Sequence, residues 1–156
     1  MRATVVCASN RAAAGVYEDT TGPVIVEALT GLGFEVDGPV VVPDGDPVGA
    51  AIREAVDAGA RLVVTTGGTG LTPTDLTPEV TRALLDREVP GIAEAVRAYG
   101  VDQGVATAVL SRGVAGTIGQ ALVVNLPGSR GGVKDGLAVV VPLLRHAVEQ
   151  IVGSDH

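Results

Sequence analysis

Two features of this chain could do chemistry together: a glycine- and threonine-rich run after an apolar segment, and two aspartates, one just beyond that run and one at the end of another apolar segment. Thr65-Thr66-Gly67-Gly68-Thr69-Gly70 comes directly after Arg61-Leu62-Val63-Val64. Glycines there let successive backbone N–H groups converge without interference from Cβ atoms. Such a nest cradles phosphate or carboxylate. The same run also suits a plain tight turn between strand and helix. It is neither a Walker A loop, which would continue Gly-Lys-Ser/Thr, nor a G-x-G-x-x-G dinucleotide fingerprint. Asp75 stands five residues past Gly70, beside any phosphate the nest would hold. Mg²⁺ wants a ligand in such a place, being held by one or two carboxylates plus phosphate oxygens. An aspartate before a helix can equally serve the helix dipole alone. Asp44, in Pro43-Asp44-Gly45, ends a different apolar segment and can converge on the same space, although that tripeptide is also an ordinary turn.

Other turns complete a candidate rim. They are Ser9-Asn10-Arg11, Ser111-Arg112-Gly113 and Leu126-Pro127-Gly128-Ser129-Arg130. Arg11, Arg112, Arg130 and Lys134 are the cations nearest to them and could supply a local positive field for an anionic substrate, each being also an ordinary solvated charge. His146 falls within the last apolar-periodic segment and reads as a helix-face residue, and His156 is terminal. No His/Cys cluster has zinc-ligand spacing. Cys7 is the single cysteine and lies in Thr4-Val5-Val6-Cys7-Ala8, where a small core residue is expected rather than a reactive thiol.

The elements that must position these residues alternate. Arg2–Ser9 reads as a strand, followed by a loop rich in Ala, Gly and acid. Thr21-Gly22-Pro23 opens a helix capped by Thr20 or Thr21, and Gly33 stops it. Residues 34–42 are extended, bent at Gly38-Pro39. Asp46-Pro47 starts a second helix that Gly59 closes. Residues 61–66 form a buried-type strand. Thr77-Pro78-Glu79 starts another helix with Thr77 as its cap, and a short helix spans about residues 91–99. Residues 105–111 and 121–126 read as two more strands joined through the Gly-containing stretch 113–120. The tail from about Gly132 to Val152 has helical periodicity, with Pro142 expected to kink or divide it. This alternation points to βαβ units and a mostly parallel sheet in an α/β fold. Ligands collect at the carboxyl ends of strands in such sheets, and all the polar turns named above lie at strand ends.

Composition narrows the class. A length of 156 residues is a prior for one domain spanning residues 1–156. Apolar residues make up 46% of the chain, but only Tyr17, Phe34 and Tyr99 are aromatic. A core of Val, Leu, Ile and Ala suits a parallel sheet covered on both faces. The net charge of −7 argues against general nucleic-acid binding. No secretory leader or membrane-length apolar run is evident, and the lone cysteine suits a reducing compartment.

Taken in order, these motifs resemble one family, the molybdopterin adenylyltransferases of the MogA/MoaB type. The resemblance rests on Ser9-Asn10-Arg11-Ala12 with Gly15-Val16-Tyr17-Glu18-Asp19, Thr21-Gly22-Pro23, Pro43-Asp44, Thr65–Gly70, Asp75-Leu76-Thr77-Pro78-Glu79, Pro90-Gly91, Leu110-Ser111-Arg112, Ala115-Gly116 and Leu126-Pro127-Gly128-Ser129. It runs over about residues 4–150. It implies a three-layer α/β/α molybdopterin-binding fold, a homotrimer, and Mg²⁺-dependent transfer of AMP from ATP to molybdopterin with release of pyrophosphate. The family's two essential acids fall on Asp44 and Asp75, which would also hold Mg²⁺. Thr66–Gly70 with Ser9 and Arg11 would take nucleotide and phosphate. Thr77, Ser111, Arg112, Pro127, Gly128 and Ser129 would line the substrate pocket. The family context implies a cytoplasmic enzyme in transient contact with molybdopterin synthase and a molybdenum-insertion protein. Asn10 stands where many members carry Asp, and Arg130 where a Pro is common, so a different start for the last helix is expected. A non-catalytic molybdopterin carrier of the same fold is the alternative, and a general Rossmann-like nucleotide binder is a third reading.

Overall fold

In the computed structural model residues 1–154 are described; Asp155 and the terminal His156 lie outside them. The chain runs β1 (Arg2–Ala8), α1 (Asn10–Ala13), α2 (Gly22–Gly31), β2 (Glu35–Val42), α3 (Asp46–Asp57), β3 (Leu62–Thr66), α4 (Thr77–Arg82), β4 (Arg87–Glu88), α5 (Pro90–Asp102), a 3₁₀ turn (Ala106–Leu110), β5 (Ala115–Ile118), β6 (Ala121–Leu126) and α6 (Arg130–Ile151). The strands form one sheet in the order β2-β1-β3-β6-β5-β4. β2, β1, β3 and β6 run parallel, while β5 is antiparallel to β6 and to β4.

The apolar runs are buried on both faces because strand side chains alternate. Val5, Leu62, Val64, Leu122 and Val124 point to one face, where they meet Ile25 and Leu29 of α2, Ile92 and Val96 of α5, and Val140, Leu144 and Val148 of α6. Val6, Val63 and Val123 point to the other, against Val48 and Ile52 of α3. The result is the expected three-layer α/β/α arrangement. No helix among the described residues is long and apolar enough to cross a membrane.

Several local expectations are corrected. Residues 105–111 do not form a strand: Ala106–Leu110 is a 3₁₀ turn with Val105, Val109 and Leu110 exposed. A short apolar run cannot be told from a helical turn by periodicity alone. The missing strand is β5, inside the Gly-containing stretch. A Cβ at Gly116 would collide with the Arg87 carbonyl and stand 2.8 Å from Leu85 Cδ1, so glycine is what lets the edge strand β4 approach. The expected loop after β1 contains the one-turn α1, capped by Ser9 Oγ, which accepts from Ala12 N–H at 3.1 Å. Thr21 occupies the N-cap position of α2 but its side chain does not cap. Asp19 Oδ1 does so instead, accepting from Thr21 and Gly22 N–H at 3.1 Å each. Pro142 does not divide α6, which is continuous. Pro142 and Ala138, four residues earlier, are both exposed, so the carbonyl that loses its intrahelical donor can be hydrated. Val140, Leu144 and Val148 meanwhile pin both halves to the sheet.

Candidate active site

The chain leaves β1 towards β2 on one side and leaves β3 towards the opposite edge, so β1 and β3 flank a topological switch point, the usual place for a ligand crevice. The turns after β1, β2, β3 and β6 all open on this carboxyl edge. Ser9, Asp44, the Gly67–Gly70 loop and Pro127-Gly128-Ser129 are brought together there as expected.

Close backbone approaches shape the edge. Gly67 and Gly68 have φ of +91° and +67°, a region that costs other residues about 1 kcal/mol or more. A Cβ at Gly67 would strike the Ala8 carbonyl, and one at Gly68 would strike Asp44 Oδ2 and Thr77 Oγ1. A Cβ at Gly128 would stand 3.0 Å from the Gly67 Cα. Thr66, fully buried, donates from Oγ1 to the Pro127 carbonyl at 2.8 Å, and Gly67 N–H donates to Leu126 O at 3.2 Å. The ends of β3 and β6 are thereby stitched together.

The next four N–H groups, those of Gly68, Thr69, Gly70 and Leu71, find no acceptor among the described residues. Thr69 is buried and Gly68 and Gly70 half-buried, while Leu71 is exposed; buried or half-buried backbone donors are nearly always paired, so the unclaimed N–H groups of the first three suit an anion. The two aspartates bracket this row. Asp44 Oδ1 accepts from Gly45 N–H at 2.7 Å and from Leu76 N–H at 3.0 Å, while Oδ2 lies against Gly68 with no hydrogen bond. Asp75 Oδ2 accepts from Thr72 N–H at 3.0 Å and would stand 2.8 Å from a Cβ at Gly70; Oδ1 has no hydrogen bond. Each acid thus keeps one oxygen for a ligand.

Two cavities flank the loop. The larger, about 550 Å³, has Gly68, Thr69, Gly70, Asp75, Ser111, Pro127, Gly128 and Ser129 on one side and the apolar Leu71, Val96, Val105, Ala108 and Leu110 on the other. The smaller, about 250 Å³, lies at the switch point among Ser9, Tyr17, Asp19, Thr66, Gly67, Gly68 and Arg130. Gly68 and Gly128 belong to both walls, so the nest is the ridge between two compartments.

Some expected residues sit elsewhere. Arg11 is exposed on α1 and lines neither cavity. Asp44 lies beneath Gly68 rather than on a cavity wall. Thr77 is not the cap of α4: Leu76 holds that position, and its N–H is taken by Asp44 from another strand. Thr77 is fully buried and its Oγ1 has no hydrogen-bond partner. Arg112 lines neither cavity; its guanidinium binds Gly70 O, Asp75 O and the Glu79 carboxylate. Lys134 is exposed, and His146, on α6, lines neither cavity. Asn10 Oδ1 accepts the Asp44 N–H at 3.0 Å, a bond that an aspartate there would also accept. α6 starts at Arg130 because Ser129 Oγ caps Gly132 N–H at 3.0 Å, whatever follows Ser129.

Sequence reasoning missed Arg97 and Asp135 as cavity-lining residues, and it placed Asn125 at a strand end without its bonding role. Arg97 lines the larger cavity from α5, its Nη1 donating to Ser111 O at 3.4 Å and Gly113 O at 3.2 Å. Among the described residues it forms no ion pair within 4 Å, and it shares the cavity wall with Asp75 and Asp135. Asn125 is 4% exposed and fully bonded. Its Nδ2 donates to Thr65 Oγ1 at 2.9 Å and Thr81 Oγ1 at 3.1 Å, and its Oδ1 accepts from Val114 N–H at 3.1 Å. It ties β6 to β3, α4 and β5 beneath the loop. No local pattern marks either residue. Cys7 borders the smaller cavity, but burial, and then the charge and hydrogen bonding of Asp19, push its thiol up to about 12. It is a core thiol and no nucleophile at neutral pH. Among the described residues no three His, Cys, Asp or Glu side chains cluster as a ready metal site.

Known proteins share this arrangement. A family model described as "Probable molybdopterin binding domain" matches residues 4–146. The chain is 41% identical over 155 residues to the molybdenum cofactor biosynthesis bifunctional protein of Synechococcus elongatus, covering 99% of this chain and 48% of that protein. The corresponding bifunctional protein of Chlorobaculum tepidum is 36% identical, with 50% of its length matched, so the chain spans about half the length of these two curated relatives. It is 40% identical over 153 residues to the molybdopterin adenylyltransferase of Pyrococcus furiosus, covering 93% of this chain and 90% of that one. Among solved structures, a MogA protein superposes with a TM-score of 0.94 at 53% identity, covering 97% of this chain and 99% of its own. The Mog protein of Mycobacterium ulcerans superposes at 0.92 and 52%, covering 96% and 98%.

Proposed function

The chain belongs to the molybdopterin-binding domain family, and on that premise we propose that it is a molybdopterin adenylyltransferase. Its substrates are ATP and molybdopterin, and its products are adenylylated molybdopterin and pyrophosphate. The observation that carries this reading is the row of unclaimed N–H groups from Gly68 to Leu71 between Asp44 and Asp75, at the ridge between two cavities. One compartment can hold each half of a two-part product, with the phosphates across the ridge.

The terminal phosphate oxygen of molybdopterin attacks the α-phosphorus of ATP in line. A new P–O bond forms, the bond from the α-phosphorus to the bridging oxygen breaks, and pyrophosphate leaves with that electron pair. A phosphate nucleophile is already ionised at neutral pH, so the protein supplies positioning and charge stabilisation rather than a strong base. The N–H groups from Gly68 to Leu71 hold phosphate oxygens, while Thr66 and Gly67, bonded to Pro127 and Leu126, anchor the nest. Ser9 and Thr66 border one compartment, while Ser111, Pro127, Gly128 and Ser129 border the other. Arg97 adds a cation, and Arg11 acts through its field from α1. Thr77 supports the loop from below.

Asp44 and Asp75, each with one carboxylate oxygen outside any hydrogen bond, would hold Mg²⁺, an ion usually bound through one or two carboxylates together with phosphate oxygens and water. Bound there, Mg²⁺ supplies charge neutralisation at the phosphates. Residues 1–156 act as one molybdopterin-binding domain. The family resemblance supports a homotrimer. We place it in the cytoplasm, between molybdopterin synthase and a molybdenum-insertion protein.

The test is pyrophosphate release from ATP and Mg²⁺, with and without molybdopterin, for the parent and Asp75→Asn. Release that needs both molybdopterin and Asp75 is the expected result. Turnover by Asp75→Asn at the parental rate removes Asp75 from the site. Molybdopterin binding without any release makes the protein a carrier instead.

A further inference from the structure

The loop from Gly68 to Leu76 carries both the anion nest and Asp75, yet it has no regular secondary structure. Inside the loop only a few bonds hold it. Asp75 N–H donates to Thr72 O at 3.0 Å, and Thr77 N–H donates to Gly68 O at 3.1 Å. Thr72 N–H donates to Asp75 Oδ2 at 3.0 Å, and from outside Asp44 Oδ1 takes the Leu76 N–H, while the loop's carbonyls at Thr69, Gly70 and Asp75 are all held by one residue. Arg112 donates its backbone N–H to Thr69 O at 2.9 Å, Nε to Gly70 O at 2.8 Å and Nη2 to Asp75 O at 2.7 Å. Its Nη1 donates to Glu79 Oε1 at 2.7 Å and Oε2 at 2.9 Å. We propose that Arg112 is a positioning residue: it sets the nest and both aspartates as one unit and does not touch substrate. The inference rests on the adenylyltransferase reading.

Peptide geometry supplies the reason. In a trans peptide the C=O of one residue and the N–H of the next point in opposite directions. Drawing Thr69 O and Gly70 O towards Arg112 therefore turns Gly70 N–H and Leu71 N–H away from it. Gly70 and Leu71 line the larger cavity, and these two N–H groups are among the unclaimed ones. The peptide between Asp75 and Leu76 extends the same logic. Its carbonyl binds Arg112 Nη2 and its N–H binds Asp44 Oδ1 at 3.0 Å. One peptide thus links Arg112 to Asp44, while its own residue is Asp75. Glu79, at the first turn of α4, fixes the guanidinium's rotation. The acceptors are spread around a planar fork, which an ammonium cannot reproduce.

The position of Arg112 fits this role and not a substrate contact. Its guanidinium is occupied on every nitrogen, it is absent from both cavities beside the nest, and it borders a separate cleft of about 410 Å³ with Arg82, Glu88 and Arg97.

The experiment compares the parent chain with Arg112→Lys and with Glu79→Gln. Hydrogen exchange is measured at the hydrogen-bonded amides of Thr72, Asp75, Leu76 and Thr77, alongside pyrophosphate release with KM for ATP and for molybdopterin. The expected result for Arg112→Lys is faster exchange at these four amides with β3 and β6 still protected. Its kcat falls about 100-fold, the scale of a roughly 1 Å misplacement, with both KM values within about threefold of the parent. Glu79→Gln shifts both readouts in the same direction by less. A rise in either KM with kcat preserved makes Arg112 a substrate contact and overturns the inference. Unchanged loop exchange overturns it as well. If the parent itself releases no pyrophosphate, the adenylyltransferase reading falls, and the exchange measurement alone decides whether Arg112 sets the loop. Should Arg112→Lys lose its β3 and β6 protection and unfold, Glu79→Gln carries the same test.

Discussion

Asp44 Oδ1 accepts the backbone N–H of Leu76 at 3.0 Å, joining residues 32 positions apart in sequence. The bond brings the turn after β2 to the start of α4, and it is why Asp44 and Asp75 border the same loop. It also separates what Asp44 does for the fold from what its charge does for a ligand. Asn at position 44 keeps an oxygen acceptor, whereas Ala removes it. Asp44→Asn should leave the melting temperature near that of the parent while pyrophosphate release is lost. Asp44→Ala should lose release and also about 1 kcal/mol of stability, the net contribution of a typical hydrogen bond. Denaturant melts of the two variants check this, and equal stability of Asn and Ala would deny the Asp44–Leu76 bond its structural role.

Gly68 is constrained twice, by a φ of +67° and by Asp44 Oδ2 and Thr77 Oγ1 where a Cβ would go. Gly68→Ala should cost about 1–3 kcal/mol and abolish anion binding, because the loop must move to admit the methyl group. Gly91 on α5 has nothing within 4 Å of a built Cβ. Gly91→Ala should be neutral or stabilising by up to about 1 kcal/mol. Calorimetric titration with inorganic pyrophosphate, together with thermal melts, separates the two positions.

Asn125 connects β6 to β3, α4 and β5 through three hydrogen bonds. Asn125→Leu strands Thr65 Oγ1, Thr81 Oγ1 and the Val114 N–H in the core. A loss of about 3 kcal/mol or more is expected, since each unsatisfied buried group costs roughly 1–3 kcal/mol. Urea denaturation measures it; a loss below about 1 kcal/mol would mean that the hydroxyls find other partners.

Cys7 has its pKa raised from 9.0 to about 12, mainly by burial. A raised folded-state value means that the unfolded chain ionises first. Its contribution is therefore fully present below about pH 9 and is lost as pH rises towards 12. Cys7→Val should flatten the alkaline limb of a stability–pH profile without altering the neutral region. In the native protein Cys7 should resist a thiol reagent at pH 8 and react once denatured. Rapid native labelling would contradict its burial.

Sequence alone determined the features that short stretches of chain encode. The buried runs at β1, β3 and β6, the helix starts at Pro23, Pro47 and Pro78, and the glycines of the nest all follow from local sterics and periodicity. The adjacency of Asp75 to the nest was legible for the same reason, since five residues cannot carry it far. Where local pattern was ambiguous, the reading slipped: Val105–Leu110 alternates like a strand, and the true β5 was hidden by Gly116. Tertiary structure decided the relationships with no local signature. These are the hydrogen bond of Asp44 to the Leu76 N–H, the turning of Arg112 away from the cavities to bind Gly70, Asp75 and Glu79, the place of Arg97 on the larger cavity's wall, and the bonding of Asn125. Each depends on hydrogen bonds between segments tens of residues apart. Their geometry exists only once the sheet order has placed the strand ends side by side, and no periodicity within a segment reports it.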